Sequence, residues 1–194
     1  RNVIKDIARR EGYHATFMAK PFIDQSGSGF HTHYSLWKDG KNIFAKDGKM
    51  NEVGYSFLAG MQARMAEMSL ATSTTPNAYR RRKPGVFCPV NTAWGYDNRT
   101  VALRILEGSD SAVRIEKRDG AADCNPYYLL ACEIAAGLDG IEGKMKPKGP
   151  ATLGDACKLT DVDPIPNTID QAIELATGSE FMARVLGKDG LEIL

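Results

Sequence analysis

Three short segments of this 194-residue chain concentrate the side chains that could do chemistry. The first is Gly27-Ser28-Gly29-Phe30-His31-Thr32-His33-Tyr34-Ser35. Alternate residues of a strand share a face, so His31, His33 and Ser35 stand together, opposite Phe30, Thr32 and Tyr34. Two imidazoles on one face suit a divalent metal or a phosphate partner; the plainer alternative is a polar face in solvent. The second segment is Val113-Arg114-Ile115-Glu116-Lys117-Arg118, where the same alternation gathers Arg114, Glu116 and Arg118. A carboxylate between two guanidinium groups is either a surface ion-pair ladder of small value to stability or a metal ligand flanked by clamps for phosphate and carboxylate. The third is the run Arg80-Arg81-Arg82, followed by Arg99 and Arg104. Basic runs are usually solvated faces or nucleic-acid patches. This one is local and sits beside the His and Glu segments, which suits a polyphosphate better than a duplex. Arg99 and Arg104 are five residues apart and would face opposite ways on a regular strand, so one lies ahead of the strand or a bulge intervenes.

The elements that must position these groups follow from periodicity and from turn signals. Residues 1–12 read as a helix ending at Gly12, His14–Pro21 as a strand, and Phe22–Gly29 as a Ser/Gly loop. Phe30–Trp37 reads as a second strand closed by Asp39-Gly40. Residues 54–69 form an amphipathic helix, and Thr72–Pro89 is basic and irregular. Val90–Gly95, Val101–Leu106 and Val113–Arg118 read as three short strands. Asn125–Gly143 is the strongest helix, with Pro126 in its first turn, and Ile169–Thr177 and Glu180–Leu186 are two shorter ones. Met18, Met61, Met65 and Met68 are assigned to the core and to helix faces. Strands and helices mix without strict alternation, which predicts an α+β fold over a doubly wound sheet. Gly27-Ser28-Gly29 joins two strands, so it does not open a helix as a dinucleotide loop would.

Composition narrows the function classes. Lys plus Arg number 25 and Asp plus Glu 24, a net charge of +1, which argues against a dedicated nucleic-acid binder. No apolar run is long enough for a membrane helix. Cys88, Cys124, Cys132 and Cys157 form no C-x-x-C pair, so they are expected as reduced thiols in a cytoplasmic protein. Cys124 has no histidine near it in sequence and is not assigned as a reactive thiol. The first residue is Arg1, inside a helical pattern, and the chain is expected to be a piece of a longer protein.

Ala15-Thr-Phe-Met-Ala-Lys-Pro21, Gly27-Ser-Gly-Phe-His-Thr-His33 and Ser35-Leu-Trp37 together resemble the glutamine synthetase catalytic domain. Asn77-Ala-Tyr-Arg-Arg81 with Pro84-Gly85, Asn98-Arg99-Thr100 through Arg104, Arg114-Ile-Glu-Lys-Arg118, and Asn125-Pro-Tyr127 with Ala136-Gly-Leu-Asp-Gly140 continue the series in the family's order. The resemblance implies a curved antiparallel sheet flanked by helices. It implies ATP and Mg²⁺ or Mn²⁺ as cofactors, and glutamate plus ammonia or a larger amine as substrates. His31 and Glu116 would be metal ligands. His33, Ser35, Arg104 and Arg114 would contact the nucleotide. Gly27, Arg81 and Arg118 would hold glutamate, and Arg99 would stabilise the phosphoryl group in transfer. These roles match what charge neutralisation in phosphoryl transfer requires.

Two departures from the family pattern carry expectations. Phe87 stands where the family has an acidic flap residue over the ammonium site; an aromatic ring offers cation–π contact and apolar cover, which favours a larger alkyl amine. Ser26 takes the place of an Asn. The resemblance also implies that residues 1–194 are the C-terminal part of the catalytic domain. The small N-terminal β-domain and most metal-binding carboxylates would lie elsewhere in a ring-forming parent, so the isolated chain is expected to be inactive. A non-catalytic assembly or binding relative is the competing class, and a guanidino kinase is a more remote one.

Overall fold

The structure, a computed structural model, describes residues 1–83 and 85–194; Pro84, half of the Pro84-Gly85 pair, lies outside them. Helix α1 (Asn2–Arg10) is followed by strand β1 (Thr32–Tyr34) and two small hairpins, β2 (Trp37–Lys38) with β3 (Lys41–Asn42) and β4 (Ala45–Lys46) with β5 (Lys49–Met50). Helices α2 (Glu52–Arg64), α3 (Ser69–Thr72) and α4 (Pro76–Tyr79) come next, then strands β6 (Trp94–Tyr96), β7 (Leu103–Leu106) and β8 (Arg114–Lys117). Helix α5 (Pro126–Glu142), a 3₁₀ turn at Ala156–Lys158, and helices α6 (Ile169–Thr177) and α7 (Glu180–Ile193) complete the chain. Side-chain caps start most of the helices: Asn51, Thr75, Asn125, Thr168 and Ser179 each accept a hydrogen bond from a first-turn amide, the donors a helix leaves unsatisfied. Helix α7 is broken at Gly187, whose φ is 71°; the helix expected over Glu180–Leu186 ends at that break.

The α+β expectation holds. Four strands form the main sheet in the order β1-β8-β7-β6. The β1–β8 and β7–β8 ladders are antiparallel and β6–β7 is parallel. Register fixes which residues share a face. His33, Glu116, Arg104 and Gly95 form one row across the sheet, and Thr32, Lys117, Leu103 and Trp94 the neighbouring row on the opposite face. That opposite face meets the core, where Phe44, Phe57, Leu58, Met61, Met65, Met68, Ile105 and Ile115 are fully buried.

Parallel neighbours usually need a crossover of a dozen or more residues. Between β6 and β7 only residues 97–102 are available, and they double back directly. Asp97 turns at φ 48°, and Ala102 and Leu103 both donate to Ala93 O. The outer edge of β6 is covered by residues 149–154: Thr152 N donates to Trp94 O at 2.8 Å, and the Trp94 indole to Gly149 O at 3.1 Å.

Three expectations need correction. Residues 14–21 form no strand. Lys20 instead exchanges its backbone bonds with one side chain: its N–H donates to Asn77 Oδ1 at 2.7 Å, and Asn77 Nδ2 donates to Lys20 O at 2.8 Å. Residues 90–93 are outside β6, because Val90 O and Thr92 N bond to Ile165 and Asp163 instead. Met18 is exposed, whereas Met61, Met65 and Met68 are core residues as expected.

Candidate active site

Strand β8 carries the centre of the site. Glu116 Oε1 accepts from Arg118 Nη1 at 2.9 Å and from His31 Nδ1 at 3.1 Å, with His33 Nε2 at 3.9 Å. Glu116 Oε2 accepts from Arg104 Nη1 at 3.1 Å. Arg104 is also paired with Asp97 through Nη2. Arg114 Nε donates to His33 Nδ1 at 3.3 Å, which assigns the His33 proton to Nε2. The bond from His31 Nδ1 to a carboxylate likewise leaves the lone pair of His31 on Nε2. The period-two reading of both segments therefore describes one assembled cluster, with Glu116 and His31 in direct contact.

Electrostatics follow from that packing. Burial favours a neutral Glu116, but the Arg118 charge and the Arg104 hydrogen bond outweigh it and hold the carboxyl below its ordinary value. His31 and His33 are both pushed down, first by burial, with Arg118 and Arg114 adding to it respectively. Arg118 is lowered by burial, and the charges of Arg104 and Arg99 contribute.

Beside this cluster opens a cavity of about 410 Å³, lined by Lys20, Ser26, Gly27, Gly29, His31, Arg81, Phe87, Cys88 and Arg118 among others. Arg81 is buried and runs along the glycine loop, donating through Nη1 to Gly120 O at 2.8 Å. A Cβ on Gly29 would lie 2.7 Å from Arg81 Nη2 and 3.1 Å from His31 Nε2, so a larger residue there would push the Arg81 tip aside and crowd the His31 ring. Lys20 Nζ is bonded to Gln25 O and ties the loop to its start. Phe87 is 71% exposed at the cavity wall.

Of the residues singled out from sequence, His31, His33, Arg104, Arg114, Glu116 and Arg118 meet directly, and Gly27, Arg81 and Phe87 share the adjoining cavity. Arg99 lies in the turn ahead of β7, which answers the spacing question, and is near enough for its charge to bear on Arg118. Ser35 is not drawn in: its hydroxyl accepts from the Trp37 indole at 2.9 Å. Cys124 is buried and its thiol is pushed up to about 11, mainly by burial, in keeping with an unreactive thiol. All four cysteines are free.

Two features escape the sequence reading. Asp97 is one. The other lies directly behind the site, where the fully buried Lys117 pairs with Asp119 and, at 3.0 Å, with Glu133 of α5. Glu133 Oε2 accepts from Thr32 Oγ1 at 2.7 Å and from the Tyr34 hydroxyl, and Asp119 Oδ2 from Thr72 Oγ1 at 3.2 Å. Burial pushes Glu133 up, while Lys117 and Arg82 overcome burial at Asp119 and hold it down. The signal for this network is Glu133 itself, a lone charge in the otherwise apolar run Leu129–Ala136.

Carboxylate is a suitable donor for Mg²⁺ or Mn²⁺, and imidazole, a softer donor, suits the transition metal Mn²⁺ better than Mg²⁺; His31 lines the cavity. Among the described residues there is no group of three or more His, Cys, Asp or Glu side chains arranged as a metal site. His31 and Glu116 thus fit a divalent cation as two members of a larger donor set. No helix among the described residues is long and apolar enough to cross a membrane.

Residues 1–193 match the family described as "Glutamine synthetase, catalytic domain". The chain is 43% identical over 192 residues to a glutamate–isopropylamine ligase of a Pseudomonas species, covering 96% of this chain and 41% of that protein. It is 36% identical over 194 residues to a glutamine synthetase of Clostridium saccharobutylicum, covering 95% and 44%. The solved structure described as "GmaS/ADP complex-Conformation 1" superposes with a TM-score of 0.88 at 32% identity, covering 97% of this chain and 46% of that one. The chain thus spans less than half the length of the curated relatives it matches.

Proposed function

The chain belongs to the glutamine synthetase family, and on that premise we propose that it is the C-terminal part of the catalytic domain of an ATP-dependent ligase. The ligase joins glutamate to an amine, with an alkyl amine preferred over ammonia. The observation that carries this reading is the Glu116 cluster opening onto a cavity that holds both Arg81 and Phe87. Arg81 and Arg118 clamp the glutamate carboxylates against the backbone at Gly27, as bidentate guanidinium groups suit. Arg99 neutralises charge developing on the phosphoryl group in transfer, with Arg104 and Arg114 on the remaining phosphates. His33 borders the nucleotide, and the Ser35 hydroxyl, which accepts from Trp37 outside the Glu116 cluster, keeps its own proton to donate there. His31 and Glu116 would be two members of the donor set that holds a Mg²⁺ or Mn²⁺ ion in the full-length ligase, where the ion would neutralise phosphate charge. The ADP complex of a structural neighbour supports nucleotide binding on this fold.

Phe87 gives the amine its character. Its ring supplies apolar surface for methylene groups, about 0.8 kcal/mol for each CH₂ buried, and only weak cation–π attraction for bare ammonium. The isopropylamine ligase among the relatives is in keeping with this. The parent is a cytoplasmic homo-oligomeric ring, and the present chain alone lacks turnover because His31 and Glu116 are too few to hold the metal.

A panel of amines, assayed with the full-length ligase at fixed ATP, glutamate and Mg²⁺, tests the reading. An alkyl amine should give the highest kcat/KM, Phe87→Glu should shift preference toward ammonia, and the 194-residue chain should release no more phosphate than its Glu116→Ala variant. Ammonia as the best substrate, with no shift on Phe87→Glu, would remove the amine preference.

A further inference from the structure

We propose that Asn98 is a positioning residue that fixes the backbone on both sides of Arg99, so that this arginine is held in place before the phosphoryl group moves; this rests on the role given to Arg99 in the ligase reading above. The Asn98 side chain uses both ends of its amide. Oδ1 accepts from Thr100 N at 2.9 Å and from Thr100 Oγ1 at 2.7 Å, while Nδ2 donates to Gly154 O at 2.8 Å and to Thr152 O at 3.1 Å. The bond from Oδ1 to the amide two residues on closes an Asx turn with Arg99 at its tip. Thr100 Oγ1 accepts in turn from Ala156 N at 2.9 Å. Residues 152–156 are thereby tied to both neighbours of Arg99.

Arg99 itself is exposed, and its guanidinium forms no ion pair among the described residues. Its backbone is therefore what sets where this long side chain can reach. A guanidinium that meets developing charge acts best when placed beforehand, and a shift of about 1 Å can cost about a hundredfold in rate. The covering segment does not depend on Asn98 for its own attachment. Thr152 N donates to Trp94 O at 2.8 Å, the Trp94 indole donates to Gly149 O at 3.1 Å, and a Cβ on Gly95 would lie 2.6 Å from Thr152 O. The Asn98 bonds add to that attachment a hold on the turn that carries Arg99.

The test is phosphate release by the full-length ligase with glutamate, ATP, Mg²⁺ and isopropylamine or ammonia, whichever is turned over faster. Slow variants are read in single turnover. Asn98→Ala should lower kcat and kcat/KM together about tenfold and leave KM for glutamate and ATP within about twofold, the mark of an interaction made only in the transition state. Thr100→Val, which keeps the shape and removes the hydroxyl from the turn, should act in the same direction and carries the test if Asn98→Ala does not fold. In an Arg99→Ala background each substitution should change the rate by less than about twofold, because the double-mutant cycle isolates action through Arg99. Equal losses in both backgrounds would show that Asn98 acts through the fold, and would overturn the proposal. So would an unchanged kcat, or a rise in KM alone; these results leave the ligase reading standing. An Arg99→Ala ligase as fast as the parent would overturn the proposal together with the role of Arg99, and a parent without glutamate-dependent phosphate release would overturn the ligase reading as well.

Discussion

Glu116 and Lys117 are neighbours on one strand, and each is surrounded by opposite charge, yet the two faces of β8 are organised differently. Behind the sheet, Lys117 meets Asp119 and Glu133, and the remaining carboxylate oxygens accept from Thr32, Tyr34 and Thr72. Counted with the buried Arg82, whose charge also acts on Asp119, two cations balance the two carboxylates, and no part of the trio is open to solvent. In front, one carboxylate serves Arg104, Arg118 and two histidines, while Arg81, Arg99 and Arg114 form no ion pair among the described residues. A surplus of cations at one place opposes folding through self-repulsion. The surplus makes the front face the one suited to attracting an anion, whereas the rear network ties the strand to α5.

Breaking the balanced face should have the largest effect. Lys117→Met leaves Asp119 and Glu133 buried without their cation, and such a break costs about 3–5 kcal/mol. Urea denaturation should show that loss, and Lys117→Met with Glu133→Leu should recover only part of it, because Asp119 stays without its lysine and Thr32 and Tyr34 lose their acceptor. A single substitution costing under about 1 kcal/mol would show that the trio does not hold the sheet. On the front face, Gly29→Ala should act on binding instead. Its Cβ would displace Arg81 and His31, so KM for glutamate should rise about tenfold, about 1.4 kcal/mol, with the melting temperature nearly unchanged. A large fall in melting temperature would mean that the glycine loop is structural. The smallest effect concerns pH. His31 and His33 titrate below the ordinary value because burial disfavours their charged forms. The unfolded chain therefore takes up protons that the native state refuses, and stability should rise with pH up to about 6.5 and then level off. Thermal melts from pH 5 to 8 should show the slope, and His31→Gln should flatten it.

Much of the front face is legible in sequence, because a period of two is a local property that the strands obey. Arg114, Glu116 and Arg118 were grouped by spacing alone, and so were His31 and His33. The strand expected at residues 14–21 fails because its backbone partner is a side chain, Asn77, more than fifty residues away, and no local pattern reports such a bond. Lys117 hides in plain view for a related reason. The period of two puts it with Val113 and Ile115 on the face opposite Glu116, but its burial partners Asp119 and Glu133 appear only once α5 packs against the sheet. Asp97 is invisible in the same way, since its meaning depends on β6 and β7 lying parallel. Ser35 shares the period of two with His31 and His33, yet β1 ends at Tyr34 and its hydroxyl accepts from the Trp37 indole instead, so spacing alone does not bring it into the cluster.

The six residues joining β6 to β7 act as a molecular ruler. A direct return between parallel neighbours leaves no slack, so an inserted or lost residue there would slide Leu103–Leu106 against Arg114–Lys117 and turn Arg104 to the core side of the sheet. Loops elsewhere absorb length changes at small entropic cost. This one is expected to keep its length, along with Arg99, across descendants of the sequence, which makes the spacing from Trp94 to Arg104 a mark of a working copy.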